Sequence, residues 1–484
     1  QVLTHFFLTA MAALRRIRFN PRAGVRGTAA IPGPAAQPLV GNLFNYDIEG
    51  LFSCPPAERL PAYAEFGDVF QLNVLGTGLV YIRDVEVIKE VLRSPDMTNS
   101  DAFRKSMGYY FPNSMIVLEG APWQRIRKIG MKALQKQKLD PMVPYVTSTC
   151  QKAIDHHFTT SAPVEMHDVM SAITFDAFHQ FAYEMDMNCV GGERQELLHA
   201  CKELGEVLSR RARIPFEMLW KLPLASNRDA DQYYNIMRKD IGEIYEARVS
   251  AIQKGEVGEG VLDHLLTASQ EEDPKNQMTK EEIMDQIATF FFGSFDTTGN
   301  TLAMALNHLA LHPEVQEELA ASLSDVDLST QTSASLAQLE LLVAVVEETN
   351  RLTPTAPAFP RTALRDTSIC GGKYTVKKGA ACILDWSVAS LDSTHWPGQS
   401  SEDLLTFRPQ RWLESKPAKL VHLPFGFGSR MCPGSQLATM EMRLVLGYLI
   451  QKIRVEPDPS RPMEYGTKLA LGPKKGAWLK ATLR

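Results

Sequence analysis

Residues Thr279 to Leu311 carry apolar side chains at three- and four-residue spacing throughout. The spacing predicts one helix of roughly 30 residues, which at 1.5 Å per residue is long enough to cross a whole domain. Thr279 with Glu282 forms a capping box at its start, and Pro313 lies just beyond its end. A chain holding such a helix has to assemble its core around it. From Val85 to about Leu319 the same helical spacing recurs. Short strands are expected at Val69–Val74 and Gly78–Ile82, joined by a Gly76-Thr77-Gly78 turn. Strand-forming residues return from Gly371 to Ala389 and from Tyr465 to Arg484. The expected fold class is therefore mainly α with a smaller β-rich region.

The chain has 484 residues, 44% hydrophobic and 22% charged, which is the composition of a globular protein with a full core. Length alone suggests two to four domains or one large α-rich one. A net charge of −5 argues against a nucleic-acid partner, which calls for a basic surplus. The seven cysteines are odd in number and none has CxxC spacing, so neither a disulfide framework nor a structural zinc site is expected.

Residues 1–30 form a basic N-terminal segment. Apolar Phe6 to Leu14 are followed by Arg15, Arg16, Arg18, Arg22 and Arg26. Three readings stay open: the tail of a longer membrane anchor with its arginines on the cytoplasmic side, an Arg-rich transit peptide, or a frayed basic terminus. Pro32-Gly33-Pro34 is a stiff break, and a single domain is expected over 31–484.

The chemistry concentrates in Phe425-Gly426-Phe427-Gly428-Ser429-Arg430-Met431-Cys432-Pro433-Gly434. A thiolate ligand needs donors or positive dipoles around its sulfur. Gly428 and Gly434 allow tight turns that aim backbone N–H groups at it. Ser435 to Leu449 reads as an apolar helix whose N-terminal dipole also favours the thiolate. Phe425 can shield the sulfur from water, and Arg430 can pair with an anionic group. The alternative is an inert, buried cysteine, the default for the other six.

This run resembles the haem-binding loop of the cytochrome P-450 family, Phe-x-x-Gly-x-Arg-x-Cys-x-Gly, at Phe425, Gly428, Arg430, Cys432 and Gly434. Average residue usage puts a chance match on the order of one in ten thousand. The resemblance implies Cys432 as axial ligand of a haem b (iron protoporphyrin IX), with the cofactor between the long central helix and the helix after the cysteine loop.

Within the long helix, Thr297 follows Gly293 by four residues, so its hydroxyl can take over the Gly293 carbonyl and bend the helix. Gly293-Ser294-Phe295-Asp296-Thr297-Thr298 resembles the family's oxygen-activation motif. By that resemblance Thr297 holds water beside dioxygen and Asp296 supplies protons. Ser294 stands where the family usually has a second glycine.

Glu348 and Arg351 share one helix face, and Arg411 follows in Phe407-Arg408-Pro409-Gln410-Arg411-Trp412. The resemblance makes Glu348, Arg351 and Arg411 a structural lock. Here Gln410 and Trp412 replace two residues of the family pattern. Trp123 and Arg127 match its Trp-x-x-x-Arg signature, and Trp123, Arg127, Arg361 and Arg430 are expected around the haem propionates. Thr289, Phe292, Gly293 and the Pro357–Phe359 stretch are expected pocket walls, which favours an apolar substrate. His312 and His422 are the rival iron ligands, each in a context better suited to capping or packing.

The resemblance implies a eukaryotic, membrane-associated monooxygenase. It would insert one atom of O2 into a sterol, fatty acid, terpenoid or xenobiotic, with electrons from an NADPH-linked reductase or a ferredoxin. The expected location is the cytosolic face of the endoplasmic reticulum membrane, or else a mitochondrion or plastid. Alternatives are a thiolate-haem isomerase or peroxygenase without a reductase, and a non-enzymatic haem sensor.

Overall fold

The computed structural model describes residues 30–42, 54–135, 139–160, 162–213, 217–270, 273, 277–418 and 420–484. The arginine-rich segment lies outside the described residues. Two compact units emerge. A smaller one comprises the described residues up to Ser100 together with Ala358–Ser390, and a larger one comprises Asp101–Pro357 with Leu391–Arg484.

The smaller unit is built on a five-stranded sheet. Its order is Val69–Val74, Thr77–Ile82, Ala381–Leu384, Phe359–Ala363, Met97–Asn99. Only the Thr77–Ile82 and Ala381–Leu384 pair is parallel. The first hairpin turns at Leu75-Gly76, with φ of 49° and 83°, one position earlier than the glycine pattern predicts. Positive φ at both central residues matches the right-handed twist of the flanking strands. Beneath the sheet, Asp385 is buried between Arg59 Nε at 3.2 Å and the Tyr63 hydroxyl, which donates to it at 3.1 Å. The predicted strand region thus ends in a helical turn, Trp386–Ala389, capped by Asp385.

The larger unit is helical, with a three-stranded sheet (Pro163–Glu165, Trp478–Leu483, Ile453–Pro457) and a Tyr465–Thr467/Leu471–Pro473 hairpin. The expected long helix is present but divided. Lys280–Ser294 and Asp296–Leu311 are separate helices that meet at Phe295, with φ −113° and ψ −44°. The capping box is in place: Thr279 N donates to Glu282 Oε2 at 2.9 Å and Glu282 N to Thr279 Oγ1 at 3.2 Å. The division follows from the hydroxyl placed to compete for the Gly293 carbonyl, since Thr297 Oγ1 donates to it at 3.4 Å.

Asp296–Leu311 lies directly on the helix Met166–Tyr183. A Cβ at Gly299 would sit 3.1 Å from the Ser171 backbone, so any larger residue would push the two helices apart by a few tenths of an ångström. Met166–Tyr183, Val143–His157 and Ser435–Lys452 contribute to the same continuous core.

The carboxylate–guanidinium lock is closed. Arg351 donates to Glu348 through Nε and Nη2, both at 2.8 Å, and Arg411 Nε donates at 2.9 Å. All three side chains are fully buried. Two further donors were not foreseen: the Arg408 backbone N–H at 3.0 Å and Trp412 Nε1 at 2.9 Å. Trp412 thereby gives its position a hydrogen-bonding role that a phenylalanine lacks. Burial alone pushes the Glu348 carboxyl up. The Arg351 hydrogen bonds and the Arg351 and Arg411 charges outweigh it, and the net shift is downward.

Replacing Glu348 by Ala leaves the buried Arg351 without a counter-ion and Arg411 with Asp403 alone, at 3.2 Å, and is expected to cost about 3–5 kcal/mol. A lower urea midpoint by circular dichroism checks it. The carboxyl ionises more readily folded than unfolded. Its contribution is therefore whole above the unfolded value of roughly 4.3 and is lost as pH falls through the lower folded value; Glu348→Gln flattens that acid limb.

Candidate functional site

The cysteine loop is shaped by two left-handed glycines and one long-range backbone bond. Gly426 and Gly428 have φ of 78° and 77°, which side chains rarely adopt. Cys432 N donates to Phe425 O at 2.8 Å and closes the loop. Gly434 has φ −86°, so its backbone shape does not demand glycine. Its contribution is a backbone N–H directed at the Cys432 sulfur, which favours the thiolate. The helix Ser435–Lys452 begins immediately afterwards and adds its dipole.

Cys432 is the exposed one of the seven free cysteines. Burial nonetheless pushes its thiol up, opposed by the Gly434 N–H and the Arg127 charge. Cys432 is thus exposed as a residue while many protein atoms surround its thiol. Phe425 beside it is half-buried against the core.

The helix Gly120–Ala133 is tied to this loop in both directions. Arg127 Nη2 donates to Met431 O at 2.5 Å. Arg430 stacks over the Trp123 ring with its Cζ 3.7 Å from the centroid, and Arg127 lies 6.0 Å from the same ring. Arg430 also donates to Leu118 O at 3.0 Å and to Glu119 Oε2 at 2.5 Å. Glu119 was missed in the sequence. It stands immediately before the helix that carries Trp123 and Arg127, and that position was its only signal. Arg361 belongs to the smaller unit, on strand Phe359–Ala363 opposite Cys382.

The bent helix supplies a second half-site. Gly293 is exposed, and a Cβ added there would meet nothing within 4 Å. Ser294 is buried and donates to Phe291 O at 3.3 Å, so the departure from the family's second glycine does not fill that space. Thr297 is half-exposed. Its neighbour Asp296 is buried, with Oδ2 lacking a hydrogen-bond partner among the described residues. Burial pushes the Asp296 carboxyl up to about 6, while the charges of Lys202 and Lys468 and bonds from Ala470 and Asn300 pull it back. The Thr289 hydroxyl donates to Asp285 O at 2.7 Å and shares a 2.7 Å bond with Ser114 Oγ. Phe292 is buried against Phe111.

The rival iron ligands are committed elsewhere. His422 Nε2 lies 2.9 Å from Glu347 Oε2, and His312 Nδ1 lies 2.8 Å from His308 O.

An accessible thiol with an N–H and a cation directed at it, beside aromatic rings and further arginines, suits a flat, anionic-edged iron porphyrin. The family model described as Cytochrome P450 matches residues 31–480.

The chain belongs to the cytochrome P450 family.

Relatives span nearly the whole chain. The mitochondrial 1,25-dihydroxyvitamin D(3) 24-hydroxylase of Mus musculus is 24% identical over 91% of this chain and 86% of its own length. Thromboxane-A synthase of Rattus norvegicus is 25% identical over 93% and 91%. The mitochondrial 25-hydroxyvitamin D-1 alpha hydroxylase of Homo sapiens is 25% identical over 98% of each chain. As a cytochrome P450, the protein is a haem-dependent oxidoreductase of the monooxygenase type. Its helical body with a smaller β-rich region is the fold of that family.

In haem-free protein, iodoacetamide is expected to modify Cys432 before the buried Cys150, Cys189, Cys201 and Cys382. Because the thiol is shifted up, its labelling should accelerate by about tenfold per pH unit from pH 7 to 9. Peptide mass mapping over time reads both.

Proposed function

We propose that Cys432 is the axial thiolate ligand of a haem b iron and that the chain inserts one atom of O2 into an apolar organic substrate. The observation that carries this reading is the exposed Cys432 with the Gly434 N–H directed at its sulfur. One catalytic domain over 31–484 is part of the reading, supported by the extent of the family match. The haem supplies the oxygen-activating chemistry, which thiolate donation favours.

The chain's own residues do the rest. Gly428 and Gly434 shape the cradle, and Phe425 excludes water from the sulfur. Trp123 and Arg127 meet the propionates. Arg430 contributes its charge there, since Leu118 O and Glu119 occupy two of its nitrogens. Glu348, Arg351 and Arg411 hold the scaffold. Gly293 leaves room for substrate and water, with Phe292 and Thr289 behind it. Thr297 Oγ1 holds a water in that space, and Asp296 Oδ2 holds the proton to be delivered. Electrons come from an NADPH-linked reductase or a ferredoxin.

Sterols, fatty acids, terpenoids and xenobiotics are the substrate classes of this reading, and vitamin D derivatives in the names of two relatives favour large apolar molecules. The endoplasmic reticulum membrane is the proposed location. A mitochondrial location with a ferredoxin donor is the second reading, favoured by the word mitochondrial in the same two names. No helix among the described residues is long and apolar enough to cross a membrane.

The ferrous carbonyl complex is expected to show the red-shifted Soret band of a thiolate ligand; a band at the position of a histidine haem would remove the Cys432 assignment. Thr297→Ala should divert NADPH to peroxide or excess water at the expense of product, measured as the ratio of product to NADPH. Asp296, with its carboxyl near 6, loses its deliverable proton as pH rises. Coupled product formation should decline through about pH 6, and Asp296→Asn should abolish that inflection.

A further inference from the structure

Residues 113–119 lie between the helices Asp101–Gly108 and Gly120–Ala133 and form neither helix nor strand. Backbone groups in such a segment need partners from elsewhere. Side chains of the helix Lys280–Ser294 supply them. Gln286 Oε1 accepts from Met115 N at 2.9 Å, and Gln286 Nε2 donates to Asn113 O at 2.7 Å. Asp285 Oδ2 accepts from Asn113 N at 2.9 Å and from Asn113 Nδ2 at 3.0 Å. Thr289 Oγ1 completes the strip with its 2.7 Å bond to Ser114 Oγ.

Gln286 thus meets the segment as a neighbouring strand would, with one acceptor and one donor on alternate residues. It is fully buried, and so is Ser114. Its second amide proton goes to Glu282 O at 3.0 Å. An apolar side chain of similar size could pack in its place, but Met115 N–H and Asn113 C=O would lose these partners. Core packing alone therefore does not call for a glutamine here.

Asp285, Thr289 and Gly293 are four residues apart, and Gln286 is seven before Gly293. All four share one broad face of the helix. The loop is bonded to that face as far as Thr289. One turn later Gly293 is exposed, with nothing within 4 Å of an added Cβ. The open space beside Thr297 begins where the bonds of the loop end. The far end of the loop is held as well: Val117 O accepts from Arg104 Nε at 2.9 Å and Leu118 O from Arg430 at 3.0 Å.

We infer that Gln286 and Thr289 are positioning residues that keep residues 113–115 closed along the helix and so set the rim of the space beside Gly293. The inference rests on the monooxygenase reading and deepens it, because this rim governs how freely a small molecule reaches the iron. Gln286 acts through the loop and not on the reacting atoms.

Hydrogen–deuterium exchange of the haem-loaded protein, read by peptide mass, follows the closure without turnover. Gln286→Leu is expected to speed exchange in residues 113–118 by at least about tenfold and to leave the helix Ser435–Lys452 unchanged. Carbon monoxide rebinding to the ferrous protein after flash photolysis should quicken by at least about threefold. Unchanged exchange in residues 113–118 overturns the inference. So does faster exchange with unchanged rebinding, which is the result for a merely structural bond. If Gln286→Leu does not fold, Thr289→Val and Thr289→Ser replace it. The first removes the hydroxyl and should show both changes; the second keeps the hydroxyl and should show neither. Equal behaviour of the two overturns the inference. The ferrous carbonyl band keeps the two readings apart. A thiolate-type band with unchanged exchange removes the closure alone, and faster exchange and rebinding with a histidine-type band removes the Cys432 assignment alone.

Discussion

A single buried carboxylate, Glu348, fixes the route by which the chain reaches its reactive loop. It receives bonds from Arg351 on its own helix and from Arg408, Arg411 and Trp412 some sixty residues later. Trp396 lies against both guanidiniums, 5.7 Å from Arg351 and 5.9 Å from Arg411. The segment that enters the cysteine loop is thus anchored before the loop begins. A buried ion pair contributes little net stability compared with apolar packing, but it tolerates no other register, because any slip leaves a charge unpaired.

Inside that frame the loop and the helix Gly120–Ala133 hold each other. Arg127 reaches down to the Met431 carbonyl, and Arg430 reaches back across Trp123 to Glu119. The reciprocal grip matters because the sulfur itself is in an unfavourable place. Protein atoms crowd it enough to disfavour the anion, while one N–H and one cation favour it. Position is secured by the arginines and backbone, and under the proposed ligation the remaining charge stabilisation falls to the metal.

Much of this was legible in the sequence because the signals were local or rigidly spaced. The capping box, the ten-residue cysteine loop and the Glu348-x-x-Arg351 pair each depend on contacts within a few residues. What escaped depends on distant approach. Nothing in the sequence marks Glu119 as the partner of Arg430, since the two are far apart in the chain and meet only once the fold is made. Trp412 looked like a departure from a pattern and proved to be a donor to Glu348. The expected uninterrupted helix breaks at Phe295 because apolar periodicity reports which face is buried, not whether the backbone ladder is continuous.

The break at Phe295 also separates two properties that a straight reading of neighbouring residues would merge. Consecutive positions on a helix do not face the same way. Thr297 looks into the open space beside Gly293, whereas Asp296 is sunk among protein atoms near the charges of Lys202 and Lys468. Cavity contour and acid strength therefore answer to different sets of neighbours. Descendants of such a chain could reshape the space beside Gly293 without altering the acidity of Asp296, or retune that acidity without touching the space.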